Sequence, residues 1–425
     1  MPTTTLTSLE DSVESTLSTL GEQGQRFRPA QPFTIFRVPA YVRDANRSAY
    51  EPRMVSIGPY YHGAPALRAT EDHKWRYLHD LLSRNSAVSS SVLIQAMRPL
   101  EARARACYSE QPLLGSDDFV RMLLLDGCFI LEFFFKWHTR EPDPLCDVGW
   151  GLKLLRSDLL LLENQLPFFV VEKVYDVVAG VQGSRSRELL VNLFLEYTSD
   201  VEPIVRPSST SEIHHLLHLY YESFVPKLPE EASSSSARVR EKMIPRATEM
   251  SAAGVTFVRR RRAQHNYDVA FDRRTGVMEI PHVLIDEKRP LLMNLMALEQ
   301  SHQGPEGARV LTSYVSLMGM LVRTAEDVEL LHRCGVLDNL LADDQEATWF
   351  FGNLGDGGAM DYSRLVFAGL CEDVQRYCGS WWHRNRAKLR QDYFGSPWSA
   401  ISFFIAGLVV ALAATQTYFA AFPRK

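Results

Sequence analysis

The chain has 425 residues, of which 46% are hydrophobic and 23% charged, and this is the composition of a globular protein with a sizeable core in one large domain or two. Its formal net charge of -5 gives no strong field for nucleic acid or for an acidic substrate. The six cysteines include no Cys-x-x-Cys motif and are too sparse for a disulfide framework, so we expect reduced, buried thiols.

The N-terminal residues predict a mobile arm. Residues 1–32 are rich in Thr, Ser, Gln and Glu, and they contain no apolar run of the length that a signal peptide needs. We therefore expect 1–32 to bury little and a mostly helical globular domain to occupy 33–392.

The first half of that domain has the periodicity of amphipathic helices. Residues 71–84 carry apolar side chains at helical spacing, with charges on the other side, which predicts a helix that buries Trp75. Residues 116–137 are apolar on nearly every face and predict a buried central helix. The pattern over 151–178 predicts two helices that meet near Pro167.

The period changes after a polar stretch at 230–241, which we interpret as a loop or linker. Residues 254–260 and 267–285 contain alternating β-branched and aromatic residues around the turn-like run 272–276. This pattern predicts a small β-hairpin with a third short strand. Helical patterns return from residue 289, so the predicted fold class is mainly α with a minor β-hairpin element (α+β).

The C-terminal segment predicts a membrane anchor. Residues 393–423 contain no charged side chain, and a bilayer core needs about 20 apolar residues of helix. We expect a single transmembrane helix over 396–422, with the lipid bilayer as a partner and, because basic residues are concentrated before the span, the N-terminal domain in the cytosol. The alternative is a buried C-terminal helix. The expected anchoring side chains are Trp398, Phe403, Phe404, Leu408, Leu412 and Tyr418.

The sequence offers little that is typical of catalysis. It contains no Gly-x-Gly-x-x-Gly, P-loop or Gly-x-Ser-x-Gly motif. Asp158 and Glu163 could act as general acid and base, but their five-residue spacing does not place them cleanly on one helix face. We favour helix-cap and buried hydrogen-bonding roles for both acids.

Two charged or metal-binding patterns are weak. His214 and His218 share a helix face with Glu222, which makes these three residues the candidates for a metal site. We favour ordinary half-buried or surface histidines and expect neither a metal nor a cofactor. The basic run 259–262 lacks interleaved aromatic residues, which favours a solvated strand end or a patch facing anionic headgroups over a nucleic-acid site.

Residues 50–63 pack two prolines, two glycines and three tyrosines around a short apolar core. Pro52 and Pro59 restrict the residues before them to extended conformations, and Gly58 and Gly63 permit turns that other side chains forbid. The stretch contains no nucleophile with an adjacent base. It therefore predicts a structural corner that packs onto the Trp75 helix.

The same residues carry a family resemblance. The runs RVPAYVRDANRSAYEPRMVSIGPYYHG, LRATEDHKWRYLHDLL, DLLLLENQLPFFVVEKVYD and MEIPHVLID follow one another in the order typical of the plant family called domain of unknown function 247, or uncharacterised protein family 0481. From about residue 33 to its end the chain resembles this family, with Thr70 where the family usually has Met. The family motif comprises Gly58, Pro59, Tyr60, His62, Gly63, Glu71, His73 and Lys74.

The resemblance implies a land-plant protein with a C-terminal membrane segment and no established catalytic activity. Some grass members are similar proteins encoded at self-incompatibility loci, where they are regarded as pollen-side recognition determinants. We expect a non-enzymatic protein that binds an unknown protein partner, and neither nucleic acid nor a small-molecule substrate. The alternative is a hydrolase-like enzyme whose site, formed by His62, Glu71 or His73 with a perturbed acid, is assembled only in three dimensions.

Overall fold

The computed structural model describes residues 9, 11–15, 17–18, 33–180, 184–198, 203–207, 211–227, 243–285, 289–301, 309–341, 343–356, 366–380, 405 and 408–417. The chain forms two compact units, one of residues 1–225 with 290–305 and the other of residues 226–289 with 306–425. The predicted domain limits of 33 and 392 stay a prediction. The expected loop at 230–241 and most of the arm over 1–32 lie outside the described residues.

Helices dominate both units. The elements up to residue 252 are α1 (Ala40–Ala45), α2 (Arg47–Tyr50), α3 (Arg68–Arg84), α4 (Ser90–Met97), α5 (Glu101–Arg105), α6 (Ser116–Thr139), α7 (Gly151–Leu159), α8 (Phe168–Ala179), α9 (Ser184–Thr198), α10 (Leu216–Phe224) and α11 (Ala247–Ala252), with 3-10 turns at Pro65–Leu67 and Arg98–Leu100. The later elements are β1 (Thr256–Arg259), β2 (Ala270–Asp272), β3 (Val277–Ile280), β4 (Val283–Ile285), α12 (Arg289–Ser301), α13 (Val310–Leu321), α14 (Ala325–Arg333), β5 (Leu337–Asn339), α15 (Asp344–Asp356) and α16 (Ala368–Gly379).

The predicted central helix is confirmed as α6, which packs against α3, α4, α8 and α9 of the first unit. Its buried aromatic side chains meet those of its neighbours: the ring centroid of Phe129 lies 4.8 Å from that of Tyr77, and Phe133 lies 4.8 Å from Tyr197. The two helices expected around Pro167 are α7 and α8, and Pro167 is the N-cap of α8.

The prediction that helix α3 buries Trp75 is wrong. The indole is 51% exposed, whereas Tyr77, Leu78 and Leu81 are buried together with Lys74. The helix turns Lys74 rather than Trp75 towards the core, where the ammonium group contacts the buried Asp126. The amphipathic pattern treated lysine as a surface residue, and here that assumption fails.

The predicted hairpin of the second unit is confirmed, with β2 antiparallel to β3 and β1 added as a parallel third strand. The turn is closed by the Gly276 amide, which donates to the carbonyl of Asp272 at 2.8 Å, and Gly276 has a φ of 73°. A second, two-stranded sheet joins β4 in parallel to β5. The sequence did not predict this pairing, because β5 has only three residues and is far from β4 along the chain.

The prediction of a single C-terminal transmembrane helix over 396–422 is wrong. Within the residues that the structure describes, no helix combines the length and the apolar character needed to cross a membrane. Of the expected anchoring side chains, Leu408 and Leu412 lie among the described helical residues 408–417, and both are exposed. The predicted localisation as a single-pass membrane protein with a C-terminal anchor rested on the transmembrane helix and is wrong for the same reason. The other anchor candidates, Trp398, Phe403, Phe404 and Tyr418, lie outside the described residues.

A buried ionic network as the candidate functional site

The family motif converges on a buried lysine of the first unit. Lys74 Nζ lies 2.6 Å from Asp126 Oδ1 and 2.8 Å from Glu71 Oε1, and it donates to the Ser56 carbonyl at 2.6 Å. The other carboxylate oxygen of Asp126 accepts the backbone N–H of Gly58 at 2.8 Å. One ion pair thus ties α3, α6 and the 50–63 stretch to each other.

The electrostatics of this pair follow from its burial and its short contacts. Burial lowers the pKa of Lys74, but the charges of Asp126 and Glu71 outweigh burial and raise it overall. Burial raises the pKa of Asp126, against the opposing effects of Lys74 and of the Gly58 amide. The 2.6 Å separation and the Gly58 hydrogen bond favour the ionised pair. Removal of either partner would leave a buried charge without compensation.

Gly58 sits where no other residue fits well. Its φ is 75°, in the left-handed region, as the corner prediction required. A Cβ at this position would overlap the carbonyl oxygen of Gln165, which also accepts the Tyr108 hydroxyl at 3.0 Å. Gly63 has a φ of 78° but open space around its Cα. Gly58 is therefore constrained by both backbone and packing, and Gly63 by backbone alone.

Asp158, at the end of α7, and Asn164, between α7 and α8, bind the main chain of the 50–63 stretch. Asp158 accepts three consecutive backbone N–H groups, from residues 53, 54 and 55, at 3.1, 2.6 and 2.9 Å. Asn164 accepts the N–H of Ile57 at 2.7 Å and donates to the carbonyl of Val55 at 3.0 Å. Asp158 therefore has the buried hydrogen-bonding role that its spacing favoured.

Glu163 forms the second centre of the network. Its carboxylate accepts the N–H of Val38 at 2.8 Å and the hydroxyl of Tyr61 at 2.7 Å, and it pairs with Arg43 at 3.2 Å. Burial raises the pKa of Tyr61, and the Glu163 charge raises it further, so the phenol stays protonated and donates. Arg37, 3.5 Å from Glu163, lies with its guanidinium carbon 4.9 Å from the centre of the Tyr60 ring.

The histidines of the family motif do not complete a catalytic group. His62 and His73 are half-buried. Among the described residues, no hydrogen bond or ion pair joins either imidazole to an acid, and His62 Nδ1 is buried without a partner. The carbonyl oxygen of Pro59 accepts the backbone N–H of His62, and this hydrogen bond closes the turn after Gly58. Glu71, the third residue of the enzyme alternative, contacts Lys74. The expectation of a non-enzymatic protein stays a prediction.

The candidate metal ligands are close to one another but are arranged as hydrogen-bonding groups. The rings of His214 and His218 stack at 4.4 Å, His218 Nδ1 accepts the His214 N–H at 3.2 Å, and its Nε2 lies 3.8 Å from Glu222. His215, which the sequence did not single out, caps α10 by accepting the His218 N–H at Nδ1. In the described part of the chain, no group of three or more His, Cys, Asp or Glu residues could hold a metal ion.

Sequence reasoning missed the partners of the motif. It did not single out Asp126, Asn164 or Gln165. Gln165 donates to the carbonyls of Leu159 and Leu161 at 2.8 and 2.7 Å. A usable signal was present, because a single acid inside an otherwise buried helix demands a buried cation. The adjacent amides before Pro167 similarly suggest main-chain hydrogen bonds between two helices.

Comparison with known proteins points to one family. The family model DUF247, described as a plant protein of unknown function, matches residues 35–412, which include the whole ionic network. A UPF0481 protein of Arabidopsis thaliana is 29% identical over 415 residues, covering 90% of this chain and 85% of the relative. A second UPF0481 protein of the same plant is 23% identical, covering 91% and 89%. No solved structure matches the chain.

Proposed function

The chain belongs to the plant family DUF247, and from this premise we propose that it acts as a protein-interaction module rather than as an enzyme. The observation that carries the proposal is Trp75, whose indole is 51% exposed on α3 although its neighbours Lys74 and Tyr77 are buried. Tryptophan is enriched among the residues that dominate the energy of protein interfaces. An indole held at the surface of a fixed helix therefore offers an anchor for a partner.

The surroundings of Trp75 indicate the chemistry of that partner. Arg68, Asp72, Trp75, Arg76 and His79 are all exposed and define what we call the α3 outer face. Within the described residues, the guanidinium groups of Arg68 and Arg76 have no hydrogen-bond or ion-pair partner. The face suits a protein segment that places an apolar side chain on the indole and acidic side chains beside the two arginines.

The ionic network supports this role by fixing the helix. Lys74 precedes Trp75 and is bound to α6 through Asp126 and to the 50–63 stretch through the Ser56 carbonyl. A binding residue on a preorganised helix loses less conformational entropy on association than one on a loop. The buried charges thus contribute to binding indirectly, by holding the α3 outer face in one geometry.

The enzyme alternative has less support. A hydrolase-like site would need to use the buried acids of the network, but Asp126, Asp158 and Glu163 each accept backbone N–H groups of the segment from Val38 to Gly58. Their charges are satisfied by the fold itself. Chemistry at these carboxylates would have to compete with the hydrogen bonds that hold the main chain in place.

Quantitative affinity capture from plant tissue tests the proposal with two matched variants. Trp75→Ala removes the proposed anchor, and Trp150→Ala removes an indole that is 60% exposed in the same unit. We expect Trp75→Ala to lose specific partners that the parent and Trp150→Ala retain. The same recovered proteins in all three samples, at equal thermal stability, would refute the α3 outer face as a binding surface.

A finer proposal places the interaction in pollen–stigma self-incompatibility. Its support is the resemblance of the sequence motifs to family members encoded at such loci. Pollination of knockout plants tests it directly, with an expected change in which crosses are compatible. Unchanged compatibility in every cross would remove this setting and leave the capture experiment as the test of the interaction role.

A further inference from the structure

The second unit contains a pocket of about 400 Å³ that the sequence did not indicate. Ile244, Pro245 and Cys378 form apolar parts of its wall, and Ile244 and Cys378 are buried. Arg246, Glu249 and Arg323 supply its charges. The volume falls within the range of small-molecule sites, about 300–1,000 Å³.

Two of the three charged side chains, Arg246 and Glu249, form an ion pair with each other. Arg246 Nη1 donates to Thr324 Oγ1 at 3.1 Å, and its Nε lies 3.4 Å from Glu249 Oε1. The Glu249 side chain is 59% exposed, so this pair is a weak surface ion pair. It leaves the pocket with one unmatched charge, that of Arg323.

The main chain of Arg323 is held by a hydrogen bond, whereas its side chain is exposed. Its backbone N–H donates to Asp327 Oδ2 at 3.2 Å, next to the N-terminus of α14. Its exposed guanidinium has no hydrogen-bond or ion-pair partner within the described ranges. By contrast, Arg260 of the same unit pairs with Asp268 at 3.0 Å and with Glu279 at 2.6 Å.

We infer that this pocket binds an amphipathic monoanion, with its carboxylate on Arg323 and its apolar body against Ile244, Pro245 and Cys378. A guanidinium presents two parallel N–H donors, which match the two oxygens of a carboxylate. Glu249, which also lines the pocket, opposes a second negative charge. This ligand class goes beyond the protein-interaction role and concerns a different part of the chain.

Titration calorimetry on the full chain tests the inference with two isosteric probes, 2-naphthoate and the neutral 2-naphthamide. We expect 2-naphthoate to bind the parent about tenfold or more tightly than the amide, which corresponds to about 1.4 kcal/mol. Arg323→Ala should lose that preference. Arg262→Ala, which removes an exposed arginine elsewhere in the unit, should keep it.

Three results with the parent or with Arg323→Ala would overturn the inference. They are no binding of 2-naphthoate to the parent, equal affinity for the two probes, and unchanged affinity in Arg323→Ala. Loss of binding in Arg262→Ala as well would show a general charge effect and would also overturn it. Because Arg323 is exposed, all variants are expected to fold, and equal melting temperatures would check this.

Discussion

The two units of the chain place their charges differently. In the first unit Lys74, Asp126, Glu132, Asp158 and Glu163 are at most 1% exposed. In the second unit Asp327 is the one buried charged residue among those that the structure describes. The first unit therefore buries several of its carboxylates inside the fold. The described carboxylates of the second unit, apart from Asp327, lie nearer to solvent.

The difference reflects how each unit satisfies backbone that is not helical. Residues 51–64 of the first unit form no helix or strand, and their amides donate to Asp126, Asp158 and Asn164. The non-helical backbone of the second unit at 256–285 instead pairs as strands. The backbone N–H groups of an irregular buried segment need hydrogen-bond partners. In the first unit buried side chains supply these partners, and in the second unit neighbouring strands do.

The largest expected effect comes from breaking the ion pair. Lys74→Met should lower the free energy of unfolding by about 3–5 kcal/mol, because it leaves Asp126 buried without its cation. Urea denaturation measures this loss. The double variant Lys74→Met with Asp126→Leu should recover part of the stability, since it removes both charges. A loss below about 1 kcal/mol in the single variant would show that the pair does not hold the unit together.

How much of the fold and of the ionic network could be predicted depends on how far apart the contacting residues are in the sequence. The all-round apolarity of 116–137 and the alternation around 272–276 are local signals, and both elements are confirmed. The pairing of Lys74 with Asp126 joins residues on different helices, and no local period reports it. The exposure of Trp75 follows from that pairing and was missed with it.

The C-terminal prediction failed for a related reason. Hydropathy counts the absence of charge over 393–423, and this property alone suggested a span. A span also requires a helix that is long and apolar enough to cross a bilayer, and no helix among the described residues meets this requirement. Similarly, β4 and β5 are three-residue strands about fifty residues apart, so their parallel pairing left no periodic signal.

A smaller effect is expected from Gly58, with Gly63 as its matched control. Gly58→Ala should cost about 2–4 kcal/mol, because a left-handed φ adds to an overlap with the Gln165 carbonyl. Gly63→Ala has a similar φ but open space, so it should cost about 1–2 kcal/mol. Equal melting temperatures for the two variants would contradict the packing argument.

Asp327, the one buried carboxylate among the described residues of the second unit, gives the next effect. Asp327 accepts the N–H of Thr248 at 2.9 Å and that of Thr324 at 3.0 Å, so Asp327→Ala should cost about 1–3 kcal/mol. Burial raises the pKa of Asp327, but the hydrogen bonds from Thr248 and its other donors outweigh this and lower it overall. Its contribution should therefore be complete above about pH 4 and decline as the pH falls through the lowered pKa. A stability difference between parent and variant that stays constant down to pH 2 would contradict this.

The smallest expected effect on stability is that of Trp75→Ala. Compared with Tyr77→Ala, it contrasts a surface position of α3 with an interior one in the same unit. Trp75→Ala should change the free energy of unfolding by no more than about 0.5 kcal/mol, because the indole is 51% exposed. Tyr77→Ala, two residues further along α3, removes a side chain that is 2% exposed and donates to Asp143 at 2.8 Å, so it should cost about 3–5 kcal/mol. Thermal or urea unfolding of the two variants decides between this orientation of α3 and the one that the amphipathic pattern predicted. A loss of several kcal/mol in Trp75→Ala would restore the tryptophan to the core and remove the basis for the α3 outer face as a binding surface.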